Sequence, residues 1–283
     1  MQLDLIAPYK ITTVLISVSG GRTSGYMAYW MINNKDKVAA QLGIEVSELK
    51  YVFVFANTGL EHDDSLRFMH DTAKNFGFSC VWVEGVTHHF ERKSTTHEIV
   101  NFDSASRYES YENENHPFHS HIRKYGVPNI SYKNCTRELK RNAINSYMKS
   151  IGMDEKKHFY TAIGIREDES RRCSKNASAR NLIYPLVDWH PVDEKHVLDF
   201  WKKYEWDLKI PRHLGNCVTC FEKCQGNLNK AYVEEPSAFK FNLYMEQRYG
   251  TVGPEFSKYD DAIPRVFFRN RTPAKELIAN FKL

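Results

Sequence analysis

The segment Ser19-Gly20-Gly21-Arg22-Thr23-Ser24 joins a short apolar run to a helix-like stretch and concentrates backbone amides and hydroxyls at one point of the chain. The first amides of a helix lack partners and carry partial positive charge, so a turn of this kind is an anion site. Its two glycines let the backbone approach a phosphate closely, and Ser19, Thr23 and Ser24 add hydroxyl donors. No Gly-Lys-Ser/Thr follows, unlike the nucleotide loop of kinases and GTPases, and the third glycine of the dinucleotide fingerprint is missing. A Gly-Gly pair also makes an ordinary tight turn, so the reading rests on its place between strand and helix.

Two further groups of residues offer chemistry. Arg166, Arg171 and Arg172 follow a strand-like run, where planar guanidinium forks can neutralise phosphates or a sulfate during cleavage. The plainer alternative pairs them at the surface with Glu167, Asp168 and Glu169, and those carboxylates can instead help to hold Mg2+ on a pyrophosphate. Cys217, Cys220 and Cys224 stand in C-x2-C-x3-C order, and Cys135 offers a fourth thiolate from a distant segment. Four thiolates suit zinc or an iron-sulfur cluster, and a site without metal stays open. Cys80 sits in an apolar run and reads as core packing. Cys173 follows two arginines and is either a low-pKa nucleophile or an ordinary loop thiol. His116, His119 and His121 fall in a polar stretch and read as solvated loop histidines. Trp189 is the aromatic residue placed to stack on a base.

These residues need a frame. Thr13 to Val18 reads as a buried strand, followed by the glycine turn and a helix from Thr23 to about Asn33. Tyr51 to Ala56 repeats the pattern, with a helix over Asp63 to Phe76; Phe78 to Val83 and His158 to Ile165 supply two more strands. Strands alternating with helices predict a doubly wound, Rossmann-like parallel sheet with ligands at the strands' carboxyl ends. Helices are also expected over Arg137 to Lys149 and Asp193 to Tyr204, and in a last one capped by Thr272 with Pro273 in its first turn. Residues 1–190 are expected to form the nucleotide-binding α/β domain, interrupted by an irregular insertion or lid over 87–129, and residues 191–283 a smaller helical lobe carrying the cysteines.

The glycine segment resembles the PP-loop of the adenine nucleotide alpha-hydrolase superfamily. Asn57-Thr58-Gly59-Leu60-Glu61-His62 and Gly164-Ile165-Arg166-Glu167-Asp168-Glu169-Ser170-Arg171-Arg172 resemble two further segments of one branch, the PAPS reductase (phosphoadenosine phosphosulfate reductase) family, which includes the sulfur-inserting DndC-type proteins. The three motifs occur in the expected order over roughly residues 10 to 190. The resemblance implies that Ser17 or Ser19, Gly20, Gly21, Thr23 and Ser24 hold phosphate beside Arg22, with Asn57, Thr58, Gly59, Glu61 and Gly164 near the nucleoside. It implies catalytic roles for Arg166, Arg171, Arg172 and Asp168, and a 4Fe-4S cluster, with Zn2+ as alternative, on Cys135, Cys217, Cys220 and Cys224. The expected activity is cleavage of ATP between the alpha and beta phosphates, with Mg2+, to adenylate an acceptor for sulfur transfer; the acceptor is a nucleic acid or nucleotide and the sulfur donor is unspecified. The alternatives are a PAPS or APS reductase and a nucleotide-binding module without turnover. The stretch Arg269 to Leu283 lacks the cysteine that reductases carry there, which counts against the first alternative.

The chain has 283 residues, 42% of them hydrophobic and 26% charged, enough to bury a core and outside the disordered class. A net charge of +4 permits a polyanionic partner without indicating one. Apolar runs are of strand length, which excludes a helical membrane span, and Asp4 and Pro8 interrupt the basic and apolar pattern of a secretory signal, so a cytoplasmic protein with reduced thiols is expected.

Overall fold

Thr13–Val18 forms β1, whose apolar and β-branched residues suit a strand buried on both faces. Val14, Ile16 and Val18 point into one core cluster and Leu15 into the other, the alternation a pleated strand imposes. In this computed structural model residues 10–255 and 264–281 are described; Asp4, Pro8 and residues 282–283 lie outside them. The chain continues through α1 (Arg22–Asn33), α2 (Lys35–Leu42), β2 (Lys50–Asn57), α3 (Asp63–Phe76), β3 (Cys80–Val86) and β4 (Thr96–Val100). Next come α4 (Pro117–Tyr125), a π-helix (Thr136–Asn142), α5 (Ala143–Ser150), β5 (Phe159–Ile163), β6 (Leu182–Ile183), α6 (Pro185–Asp188) and α7 (Glu194–Trp201). Last are α8 (Gln225–Glu234), α9 (Phe239–Tyr249) and α10 (Ala274–Ala279).

The strands form one six-stranded sheet in the order β4-β3-β2-β1-β5-β6. Only the β3–β4 pairing is antiparallel. From β1 the chain winds outward to β2 and β3 and then returns to β5 on the other side, which makes the gap between the carboxyl ends of β1 and β5 the switch point of the sheet. One face packs on α1, α3 and α7, the other on α5 through Ala143, Ile144 and Met148. The architecture is the α/β, doubly wound one expected. No helix among the described residues is long and apolar enough to cross a membrane.

Three local expectations need correction. Residues 87–129 are not irregular throughout: β4 extends the sheet and α4 buries Phe118 and Ile122. The buried Lys124 ammonium donates to the carbonyls of His88, Glu91 and Lys93 at 2.5, 2.9 and 3.1 Å and so folds the intervening loop around itself. The stretch read as one helix from Arg137 opens instead as a π-helix before α5. The last helix starts at Ala274, and the Glu246 carboxylate rather than Thr272 accepts its first amide, at 2.7 Å.

The C-terminal helices share the main core with the sheet. Asp193 caps α7 by accepting the His196 amide at 2.8 Å. Trp201 at the end of α7 is fully buried edge-on to Phe68, 4.6 Å between ring centres, and its indole N–H donates to the Arg22 carbonyl at 2.8 Å. A Cβ at position 25 would stand 2.8 Å from this indole, so Gly25 is what lets α7 close on α1.

Candidate active site

At the switch point the glycine turn leaves β1. Gly20 takes φ +70°, a left-handed conformation, and a Cβ there would press on the Ser65 carbonyl at 3.1 Å. Gly21 precedes α1 without a side-chain cap, so no side chain occupies the helix's leading amides. The buried Ser24 hydroxyl donates to the Gly21 carbonyl and accepts the Ser19 amide, each at 3.0 Å, and shapes the turn from within. Across the gap, a Cβ on Gly164 would come within 3.0 Å of Ser24 Cα, so a glycine is required for β5 to end this close to the turn.

A cleft of about 440 Å3 opens over this junction. Ser19, Gly21, Arg22, Thr23 and Ser24 line one side, and Gly164, Arg166, Glu169 and Arg172 the other. Its outer wall is the strap from Leu208 to Asn216 together with Glu194, Val197 and Leu198 of α7. Arg166 is nearly buried and bound in two-pronged fashion to Asp168, Nε to Oδ1 at 2.9 Å and Nη2 to Oδ2 at 3.1 Å, while Nη1 donates to Thr23 Oγ1 at 3.2 Å. The Arg166 hydrogen bonds hold the Asp168 carboxyl below its usual range. Arg172 pairs with Glu169 at 2.9 Å. The surface pairing weighed for these arginines is therefore present, and two of them face the cleft all the same. Arg171 is exposed away from it, Ser17 lies back in β1, and neither Trp189 nor Cys173 lines it. Burial, and then the nearby Asp188 charge, push the Cys173 thiol up, which fits the ordinary loop thiol and not the low-pKa nucleophile.

The loop after β2 lies apart from this cleft. Asn57 is fully buried, its amide donating to Glu84 at 2.5 Å and to the Ser106 carbonyl at 2.9 Å. Gly59 takes φ +81°, and the His116 ring occupies the place a side chain would take. Thr58 donates to Glu61 through its amide at 3.0 Å and its hydroxyl at 2.8 Å, and that hydroxyl lies 3.5 Å from Cys217 Sγ. A bridge between Glu61 and Cys217, with the Val218 amide on the Leu60 carbonyl at 2.9 Å, fastens the cysteine segment to this loop.

Cys135, Cys217 and Cys220 line one cavity of about 30 Å3, walled by Phe118, Phe221, Phe241 and Phe267. Burial pushes all three thiols up. Cys224 does not line the cavity; it is exposed and precedes α8. Among the described residues no three His, Cys, Asp or Glu side chains stand close enough to share one ion. The three thiols match a thiophilic group in donor type and line one cavity, but as placed they do not fit one ion or a cluster, and holding either would require them to move. Lys140, at the far end of the π-helix turn that begins after Cys135, forms an ion pair with the buried Glu61 carboxylate at 3.3 Å. Burial works against the Lys140 charge, and Glu61 together with Cys217 and Cys135 more than compensates, so its pKa is raised. Lys223 donates to the carbonyls of His213 and Val218 at 2.6 and 2.8 Å, and burial lowers its pKa to about 8.

The three histidines read as solvated are buried. Each finds neutral partners: His116 Nε2–H donates to the Gly59 carbonyl at 3.2 Å while Nδ1 accepts the first amides of α4. His119 Nδ1–H donates to the Tyr111 carbonyl at 2.7 Å and Nε2 accepts from the Tyr249 hydroxyl at 2.8 Å; His121 Nε2–H donates to Asn134 at 3.0 Å. Burial lowers the pKa of His116 and of His121 to about 4. Sequence reasoning also missed Lys140. Its separation of five from Cys135 has no meaning in an α-helix, yet it aligns the two in a π-helix, whose hydrogen bonds join positions five apart.

No family model matches the chain. Over 227 residues it is 27% identical to an uncharacterized nin region protein, ORF290, of Escherichia phage lambda, covering 78% of this chain and 70% of that one. Among solved structures it is similar to the U34-tRNA thiolase NcsA from Methanococcus maripaludis with its [4Fe-4S] cluster, at a TM-score of 0.41 and 15% identity, covering 100% of this chain and 84% of that one.

Proposed function

We propose that the chain is a PP-loop enzyme of the PAPS reductase-like kind that binds ATP in the cleft between β1 and β5 and transfers its adenylyl group to an acceptor destined to receive sulfur. The observation that carries this reading is the cleft itself, where the uncapped start of α1 and the Ser19 and Thr23 hydroxyls face Arg166 and Arg172. In the reaction an acceptor oxygen bonds to the alpha phosphorus as the bond to the beta-bridging oxygen breaks, and pyrophosphate leaves. Donors fixed before the reaction stabilise charge growing on the leaving phosphates without reorganising. Arg166 and Arg172 would exchange part of their carboxylate pairing for phosphate oxygens, and Glu169 and Glu194 are the cleft carboxylates able to meet Mg2+. A sulfur nucleophile then displaces AMP from the acceptor, for which a nucleic acid is the proposed class.

Cys135, Cys217 and Cys220 are the residues proposed to hold a metal or iron-sulfur group, which would require them to move together from their present positions, and no step of the reaction is assigned to it. Thr58 and Glu61 then act as positioning residues that keep the cysteine segment in place. A reductase would need a thiol at the cleft, and among the described residues no cysteine lines it. Incubation with alpha-labelled ATP and Mg2+, read as AMP and pyrophosphate release, together with calorimetry of ATP binding, tests the proposal; neither binding heat nor AMP would sink it.

A further inference from the structure

Ser120 on α4, His89 and Glu255 stand in one hydrogen-bonded row, and none of the three lines the cleft or the cysteine cavity. Glu255 Oε1 is 2.9 Å from His89 Nδ1, and Ser120 Oγ is 2.9 Å from Nε2 on the other edge of the ring. A carboxylate can only accept, so Nδ1 of the neutral ring carries the proton and Nε2 keeps a lone pair aimed at the serine hydroxyl. The Ser120 hydroxyl thus donates to a base whose tautomer is fixed by a carboxylate, an arrangement that is recognised by geometry and not by sequence position.

The row is held from several directions. Glu255 Oε2 accepts the Phe90 amide at 2.7 Å, and the Glu255 amide donates to the Lys124 carbonyl at 2.8 Å, one turn beyond Ser120. Phe90 keeps φ +59°, a strained conformation for a bulky residue and one that gathers at functional sites. Its ring is 76% exposed and lies 6.4 Å from the His89 ring, between centres. Ser120 is 8% exposed and the His89 side chain 17%, so the row reaches solvent at the histidine, beside an apolar ring.

We propose that Ser120, His89 and Glu255 form a second reactive centre, separate from the nucleotide cleft, in which Ser120 attacks small aryl or acyl esters. The Ser120 oxygen bonds to the ester carbonyl carbon as its proton passes to His89 Nε2. The carbon–oxygen bond to the leaving alcohol then breaks, and that alcohol takes the proton from His89. Water repeats the sequence: its oxygen bonds to the acyl carbon, His89 accepts its proton, and Ser120 leaves with that proton and a free acid. Glu255 is a positioning residue that acts through His89, and Phe90 offers a flat apolar face to the ester's aromatic part.

A fluorophosphonate tests the nucleophile directly in the full-length wild type: its phosphorus bonds to the serine oxygen, fluoride leaves and the proton passes to His89. Mass spectrometry of the digested protein should find the label on Ser120, and an unmodified Ser120 overturns the proposal. With p-nitrophenyl acetate, wild type should release p-nitrophenol about 100- to 10,000-fold faster than H89Q, the usual contribution of a positioned base. S120A should lose the activity to the same extent; hydrolysis persisting in S120A comes from other nucleophiles and overturns the proposal. E255Q can donate to Nδ1 and so move the ring proton to Nε2, and kcat should fall at least tenfold with KM unchanged. Circular dichroism confirms that the variants are folded, and the labelling of the wild type stands without them. Folded H89Q and E255Q proteins that hydrolyse the ester as fast as wild type overturn the assigned roles.

Discussion

Arg22 in the glycine turn and Asp207, 185 residues later, form a two-pronged ion pair, Nε to Oδ1 at 2.7 Å and Nη2 to Oδ2 at 2.9 Å. Arg22 also donates to the Leu208 carbonyl, and Arg67 of α3 holds the Trp206 and Asp207 carbonyls at 3.1 and 2.9 Å. The strap that walls the cleft is thereby tied to the two helices beneath it. Arg22, expected at the phosphates, instead spends its guanidinium on that wall. D207N weakens a partly exposed ion pair by about 1 kcal/mol, and ATP affinity measured by calorimetry should fall about fivefold. R22A should show the same loss, and the double variant no more than either, because the two residues act as one unit.

Arg166 faces the cleft with a planar fork already shaped by Asp168 and Thr23. R166K keeps the charge and loses the fork. With about 1.5–3 kcal/mol for a hydrogen bond to a charged group, AMP release per unit enzyme should fall about 10- to 100-fold. Melting temperature should change less than activity, since the Asp168 partner is substantially exposed and the retained ammonium can still pair with it. R171K, at a position outside the cleft, should behave as wild type in the same assay.

Glu61 is buried with Lys140 as its cation. K140M strands the carboxylate, and because Lys140 retains some access to water the cost should be about 2–3 kcal/mol, at or below the low end for breaking a buried pair. Urea denaturation checks this. E61Q combined with K140M should recover part of the loss, which a simple volume effect would not do.

His116 and His121 are held neutral by burial, with pKa lowered to about 4. An unfolded histidine titrates near 6.5, so above that pH neither state takes up the proton and stability is independent of these groups. Between pH 6.5 and about 4 the unfolded chain binds protons that the folded one refuses, and stability falls with pH by on the order of 3 kcal/mol per histidine. The urea midpoint should therefore drop between pH 6.5 and 5. H121N, which removes one such group, should flatten that slope.

The sheet was readable because its strands are short, apolar and separated by amphipathic helices; Val14, Ile16 and Leu15 sit where a doubly covered strand requires. The glycine turn was readable because few arrangements need two small residues between strand and helix. What escaped depends on partners distant in sequence. A histidine run looks solvent-facing until Tyr111, Tyr249, Asn134 and Gly59 are seen to bond it, with His121 Nδ1 left without a partner among the described residues. Asn57 sits in the segment that resembles a nucleotide loop, yet Glu84 on the neighbouring strand claims its amide. Cys224 has the spacing of a ligand, but it precedes α8 on the exposed side, and nothing in C-x2-C-x3-C reveals the direction the third thiol takes.

The indole of Trp201 touches the carbonyl of Arg22 in the very loop proposed to meet phosphate. Indole fluorescence responds to the polarity and hydrogen bonding of its surroundings, so this side chain is a built-in optical gauge of the loop's state. Four other tryptophans add background to its emission. Replacing them with phenylalanine would give a label-free signal in which arrival of a ligand at the turn could be timed by stopped flow.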